Sequence, residues 1–283
     1  MQSIKDIMKH QQISTNNKKM TMKEMSQFRV DMYNKDKGNL HEVDVYNCNI
    51  CKNKGYIAKV TDQNGYYYET LTHCKCSGIR QSIRRMKKSG LANTIKDCTF
   101  EKFETTEQWQ NTIKEKAVAF TEDEQRQLFF IGGQSGCGKT HLCTAICREL
   151  IYKGNDVHYM LWREEAPKLK AIINDVSYPE QVNKLKTVKV LYIDDLFKTG
   201  KTENNKVMLP TVADINLAFE IINHRYNDPN LITIISSELM IQQIIDIDEA
   251  TGGRIAEKSM PNYCISIKSD RAKNYRIRGI TEL

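Results

Sequence analysis

The sequence contains no run of about 18 apolar residues, the length a helix needs to cross a bilayer. Its opening stretch, MQSIKDIMKHQQ, also lacks the apolar core of a secretory signal. Both absences point to a cytoplasmic protein with no membrane partner. Internal repeats and low-complexity tracts are missing as well, and neither sign of charge dominates. The 42 Lys+Arg against 35 Asp+Glu leave +7, compatible with nucleic acid or an acidic protein surface and diagnostic of neither.

What is present is ordinary in bulk: 40% hydrophobic and 27% charged residues suffice for a sizeable core. At roughly 150 residues per domain, 283 residues suggest one large unit and one small one. Nine cysteines in a reducing compartment read as metal ligands or core residues rather than as disulfides. Four are clustered, Cys48, Cys51, Cys74 and Cys76. The scattered ones (Cys98, Cys137, Cys143, Cys147, Cys264) read as small core residues.

Residues 1–46 are polar, with apolar positions at helical spacing: Ile4, Ile7 and Met8, then Met22, Met25, Phe28 and Met32. After the cysteine module (47–78) comes IRQSIRRMKKSG. There Ile79, Ile83 and Met86 share one helical face, Arg80, Arg84, Arg85, Lys87 and Lys88 crowd the rest, and Gly90 offers a stop. From about 98 onward strand and helix patterns alternate: LFFIGG, KTHLCTAICRELIYKG, DVHYMLW, VKVLYIDD, INLAFEIINHRYN, LITIISS, YCISIK. Near-continuous apolar strands between helices predict an α/β domain, with a parallel sheet covered on both faces. The expected division is 1–78, a basic linker helix at 79–97, and 98–283.

Gly133 to Thr140 reads G-x-x-x-x-G-K-T, after an apolar strand and before a helix, the context that makes this a phosphate-binding loop. Bare backbone N–H groups at a helix N-terminus suit an anion. The expected nucleotide-binding set is Gly133, Gln134, Ser135, Gly136, Cys137, Gly138, Lys139, Thr140 and His141. Lys139 would reach the β- and γ-phosphates of ATP, and Thr140 would ligate Mg²⁺. VKVLYIDD supplies the carboxylates at a strand end: Asp194 for the magnesium and Asp195 for orienting the attacking water.

C-x-x-C and C-x-C are separated by a stretch containing Asn64-Gly65, the strongest short hairpin signal. A two-residue turn there pairs Gln63 with Tyr66 and Tyr56 with His73, which brings Cys74 and Cys76 back beside Cys48 and Cys51. Four thiols at one point describe a tetrahedral zinc site, and a ribbon of about 30 residues scarcely folds without its metal. His73, or less directly His41, could replace one thiol. A closed four-ligand site leaves no open position for catalysis, so the module reads as an interaction platform.

At these residues the chain resembles the AAA+ helicase loaders of the DnaC/DnaI type, with the IstB-like transposition ATPases close behind. The resemblance spans roughly 98–280, through GKTHL and IDDL, and the cysteine module is similar to that of the DnaI-like and phage DnaC-like branch. CTFEKF resembles the segment near the adenine, although Phe100 and Phe103 could equally be core. SSEL is similar to the sensor-1 strand end. The family often has Asn where this chain has Glu238, so the resemblance implies Ser237 as the residue that reads the γ-phosphate, with Glu238 as the alternative. GGRIAEK resembles the arginine-finger segment, implying that Arg254 enters a neighbour's site, and KNYRIRG the sensor-2 segment, implying Arg276. Arg225, in INHRYN, would face DNA or a neighbour, or lie as a surface arginine beside Tyr226.

The resemblance implies a P-loop ATPase without the C-terminal helical lid, hence weak nucleotide affinity and slow hydrolysis. The implied function is an ATP-dependent loader whose N-terminal part grips the replicative hexameric helicase and whose ATPase part self-assembles and binds single-stranded DNA. A transposition helper and a non-catalytic helicase adaptor or inhibitor are the alternatives. The basic helix at 79–88 would touch DNA or helicase, or stand as a solvated linker.

Overall fold

A computed structural model of the chain describes residues 20–87, 94–199 and 208–277. The helical pattern at Ile4, Ile7 and Met8, together with Lys88 and the Gly90 stop, lies outside the described residues. The chain divides into two compact units, Met1–Arg80 and Gln81–Leu283. No helix among the described residues is long and apolar enough to cross a membrane.

Among the described residues of the first unit, α1 (Met22–Lys35) comes first. Thr21 caps it, accepting from the Glu24 N–H at 3.3 Å, while the Glu24 carboxylate accepts from the Thr21 N–H at 2.8 Å. Val30 and Ser26 are buried, whereas Met22, Met25 and Phe28 stand exposed along the helix. A short α2 (Leu40–Asp44) leads into the hairpin of β1 (Tyr56–Gln63) and β2 (Tyr66–His73). The expected register holds, from Gln63 opposite Tyr66 to Tyr56 opposite His73. Asn64 and Gly65 turn with φ of 55° and 84°, the left-handed pair that matches the twist of the strands. From Cys76 the chain enters α3 (Cys76–Met86).

In the second unit α4 (Thr94–Asp97) and α5 (Gln108–Glu122) precede β3 (Leu128–Gly133), whose six residues are all buried. Next come α6 (Lys139–Tyr152), β4 (Val157–Leu161), α7 (Trp162–Ala171), α8 (Tyr178–Thr187) and β5 (Val190–Asp194). After them follow α9 (Val212–Tyr226), β6 (Ile232–Ser237), α10 (Ile241–Ile247), α11 (Glu249–Ser259) and β7 (Cys264–Ile267). The sheet is parallel throughout, in the order β4-β5-β6-β3-β7. Among the described residues only two one-turn 3₁₀ helices, Arg271–Lys273 and Tyr275–Ile277, come after β7. Because β3 lies beside β6 while its own crossover leads out to β4, the strand ends around Gly133 form a switch point, where ligands bind in open α/β sheets.

Two readings of basic residues are corrected here. Arg225 neither faces DNA nor lies on the surface: it is 3% exposed. Its guanidinium donates to the carbonyls of Leu185, Lys186, Val188 and Ile232 and to the Thr233 hydroxyl. Burial pulls its pKa down, and the five acceptors answer the desolvation by tying α9 to the start of β6 and the end of α8. Arg80, expected on a solvated face, is buried against Asp44. Arg85, farther along α3, pairs with Asp156 at 2.9 Å.

Candidate functional site: a nucleotide cavity and a four-thiol cluster

The loop between β3 and α6 opens onto a cavity of about 350 Å³. Its walls include Ser135, Gly136, Gly138, Lys139, Thr140 and His141 from the loop, Asp195 and Lys198 beyond β5, Glu238 after β6, and Arg276. Lys102, Phe103, Glu104 and Tyr275 complete them. Two glycines of the loop answer to specific neighbours. At Gly136 (φ +80°) an added Cβ would collide with the Asn274 side chain, and at Gly138 (φ +89°) with the Phe103 ring. Gly133, Gln134 and Cys137 shape the loop without lining the cavity: the Gln134 amide bonds Ser269 and Asp270, and the Cys137 thiol donates to the Gln134 carbonyl at 3.0 Å.

Lys139 is 5% exposed and donates to the carbonyls of Gly133 (2.7 Å) and Gln134 (2.8 Å). The Thr140 hydroxyl lies 3.3 Å from an oxygen of Asp194, the pairing required if both are to hold one magnesium ion. Asp194 is fixed from several sides: it accepts from Tyr192 at 2.8 Å, from Tyr159 at 3.0 Å and from the Ser236 hydroxyl. Burial and this carboxylate push both phenols well above their ordinary pKa, so they stay protonated donors. The sheet register explains the set. Tyr159 and Tyr192 are cross-strand partners, and Ile193 opposes Ile235, which sets Ser236 beside Asp194. Alternation along β5 puts Tyr192 on the same face as Asp194, a signal already present in the letters YID.

Asp195 has φ +59° and Phe197 φ +60°, the left-handed region that few non-glycine residues occupy. Ser237 does not reach the cavity: it is fully buried, its hydroxyl donating to the Leu196 carbonyl at 2.7 Å and accepting from the Leu239 N–H. Glu238, the other sensor-1 alternative, lines the wall instead. Arg276 donates to the Ser135 hydroxyl at 3.1 Å, and the Tyr275 N–H to the Gly136 carbonyl at 2.9 Å. The segment after β7 therefore lies along the phosphate loop. Arg254 is absent from the cavity wall. It bonds Asn223 at 2.9 Å and the Ala250 carbonyl at 2.7 Å, with its guanidinium over the rings of Phe219 and Tyr226. Phe100 and Phe103 are both buried, and Phe103 also meets His141 edge-on at 5.3 Å.

In the first unit the sulfurs of Cys48, Cys51, Cys74 and Cys76 lie within 4.8 Å of one another, all buried. Separations of 3.7 Å (Cys48–Cys74) and 3.6 Å (Cys51–Cys76) compare with about 3.8 Å for the edge of a tetrahedron with Zn–S bonds of about 2.3 Å. Donors already point at the sulfurs: the Gly55 N–H at Cys51 (3.3 Å) and Arg80 Nε at Cys76 (3.4 Å), as around thiolates that carry a metal. The cluster fits a zinc module. His73 is exposed and stacks on Tyr56, and His41 bonds Asn53, so neither takes a ligand place. Cys137, Cys143 and Cys147 are fully buried within the second unit, where burial raises their thiol pKa values.

A family profile for the IstB-like ATP binding proteins matches residues 72–247. This chain is a member of that family. The matched range contains the loop at 133–140, and the α/β fold with a parallel sheet is that of a P-loop ATPase. Among individual proteins it is similar to the phage-like element PBSX protein XkdC of Bacillus subtilis (strain 168), with 32% identity over 249 residues, 83% of this chain and 88% of that protein. The replicative helicase loader DnaC of Escherichia coli (strain K12) is 26% identical over 135 residues. That alignment takes in 46% of this chain and 55% of DnaC, about half the length of each. Among solved structures the crystal structure of DnaI shares the fold at a TM-score of 0.50 and 19% identity, covering 62% of this chain and 93% of that one.

Proposed function

We propose that this member of the IstB-like family is a helicase loader: it binds the replicative hexameric DNA helicase and, under control of ATP, delivers it to single-stranded DNA. One observation carries the reading, the pairing on one chain of a P-loop ATPase site and a four-thiol module with no open metal position. An ATPase that only turned over nucleotide would have no use for the second. The DnaC likeness supports the partner, and the exposed Met22, Met25 and Phe28 of α1 supply apolar surface of the sort that protein partners cover.

The roles follow from the site. Residues 1–78 form the helicase-gripping part, 79–97 a linker, and 98–283 the ATPase part that self-assembles. Lys139 leaves two backbone carbonyls to meet the β- and γ-phosphates. Thr140 and Asp194 would hold Mg²⁺, which neutralises phosphate charge. Asp195 orients the attacking water, and Arg276, held on Ser135, steadies the phosphates in cis. Arg254, outside its own cavity, serves a neighbouring subunit, where such an arginine contributes about 10³ to 10⁵ in rate. Cys48, Cys51, Cys74 and Cys76 would hold Zn²⁺ as a structural ion. With Asp195 in place of a longer carboxylate, turnover by the isolated chain is expected to be slow. The nucleotide acts as a switch.

Affinity capture from a lysate of the source cells, with ATP and wild-type or Lys139→Ala protein, tests the partner. Recovery of a hexameric helicase that weakens with Lys139→Ala supports the loader. Recovery of a transposase would favour the transposition helper.

A further inference from the structure

Directly after β5 the backbone makes an unusual turn. Asp195 and Phe197 are both left-handed, Leu196 and Phe197 are buried, and the Phe197 ring packs edge-on against Trp162 at 5.7 Å. The Lys198 N–H closes the turn on the Asp195 carbonyl at 2.9 Å. As a result the Lys198 side chain, 24% exposed, folds back over the strand end instead of extending into water. Its ammonium lies 2.8 Å from Asp195 Oδ2 and 3.0 Å from Glu238 Oε1, on the same cavity wall as Lys139, Thr140 and Arg276. Partial burial alone would pull this lysine's pKa down, but the two carboxylates outweigh it and hold the group above its ordinary value.

Three facts give the arrangement a consequence. Asp195 and Glu238 present two negative charges close enough to share one ammonium, on the cavity wall that the ATP-binding reading assigns to the end of the triphosphate. A terminal phosphate arriving there without a cation would be repelled by both. An ammonium has three N–H donors and Lys198 spends two on the carboxylates, so one is left for a phosphate oxygen. We propose that Lys198 is a specificity-determining residue of the nucleotide site: it neutralises Asp195 and Glu238 and donates to the terminal phosphate, so that the site prefers ATP to ADP. The inference rests on the ATP-binding reading and extends it to a residue outside the phosphate loop. A lysine that merely tethered the turn would affect both nucleotides equally, because ADP and ATP share everything except the group Lys198 is assigned to meet.

The test is equilibrium titration of the full-length protein, in the presence of magnesium, with ADP and with a non-hydrolysable ATP analogue. Lys198→Met is expected to weaken the analogue by about tenfold or more, the scale of one lost charge-assisted hydrogen bond, while leaving ADP within about twofold. Lys198→Arg, which keeps the charge and the donors, restores most of the preference. Adding Glu238→Gln to Lys198→Met recovers part of the loss, since one repelling carboxylate is gone. Equal weakening of both ligands, or of neither, overturns the proposal. Wild-type protein that binds neither nucleotide would sink the ATP-binding reading and the proposal with it, an outcome distinct from binding both without a Lys198 effect.

Discussion

At the scale of single residues, Arg225 shows how a letter can mislead. A charged side chain near the end of an amphipathic helix ordinarily meets solvent. Here four carbonyls at neighbouring strand and helix ends converge on one side chain, which serves several directions at once. Arg225→Ala strips the donor from those acceptors and leaves a void, a change expected to cost about 3 to 5 kcal/mol. A fall in thermal midpoint of the purified domain, with the loss concentrated at β6 in hydrogen exchange, is the expected result. An unchanged midpoint would mean the network contributes nothing. Lys139, Thr140 and Asp194 were legible for the opposite reason: phosphate chemistry fixes both their spacing and their place at strand and helix ends. Lys198 was not legible, because its position depends on left-handed backbone at Asp195 and Phe197, which neither residue type announces.

At the scale of elements, the hairpin was readable down to its register. Asn-Gly demands a left-handed two-residue turn, and the cysteine spacing on either side demands that the strands return. All five strands of the large sheet were likewise visible as apolar runs. Helices α7, α8 and α10 were not singled out, since their short amphipathic stretches alternate too briefly to stand apart from loops. The segment after β7 was recognised by resemblance alone, and its contacts to Gly136 and Ser135 are tertiary facts without a local signature. For the ribbon the expectation is one equivalent of zinc in protein purified without added metal, and loss of hydrogen-exchange protection across 56–73 on chelation or in Cys51→Ser. Binding free energy on the order of 10 kcal/mol or more makes metal and fold inseparable in so small a module. Full protection in metal-free protein would contradict that.

At the scale of the whole molecule, the account requires that one subunit complete another's site. Arg254 lies outside its own cavity, held by Asn223 and by two aromatic rings. Mixing Lys139→Ala with Arg254→Ala subunits, each inactive by itself, should regain part of the ATPase rate, because an intact finger then meets an intact nucleotide site. No gain on mixing would place Arg254's role within its own chain. The α/β architecture was visible from motif order, and the separation of a cysteine-rich segment from a P-loop segment was visible from composition. The partner was not, because exposed apolar residues such as Met22, Met25 and Phe28 read in sequence like any other helix face.

The most direct measurement is transfer of the purified replicative helicase of the same cells onto circular single-stranded DNA, scored by unwinding of an annealed strand with and without this protein. The account predicts that helicase reaches the closed circle only when the wild-type protein and ATP are both present, and that Lys139→Ala abolishes the transfer. Helicase loading that proceeds equally well without the protein, or that the protein blocks, would contradict a loader and leave an adaptor or inhibitor in its place.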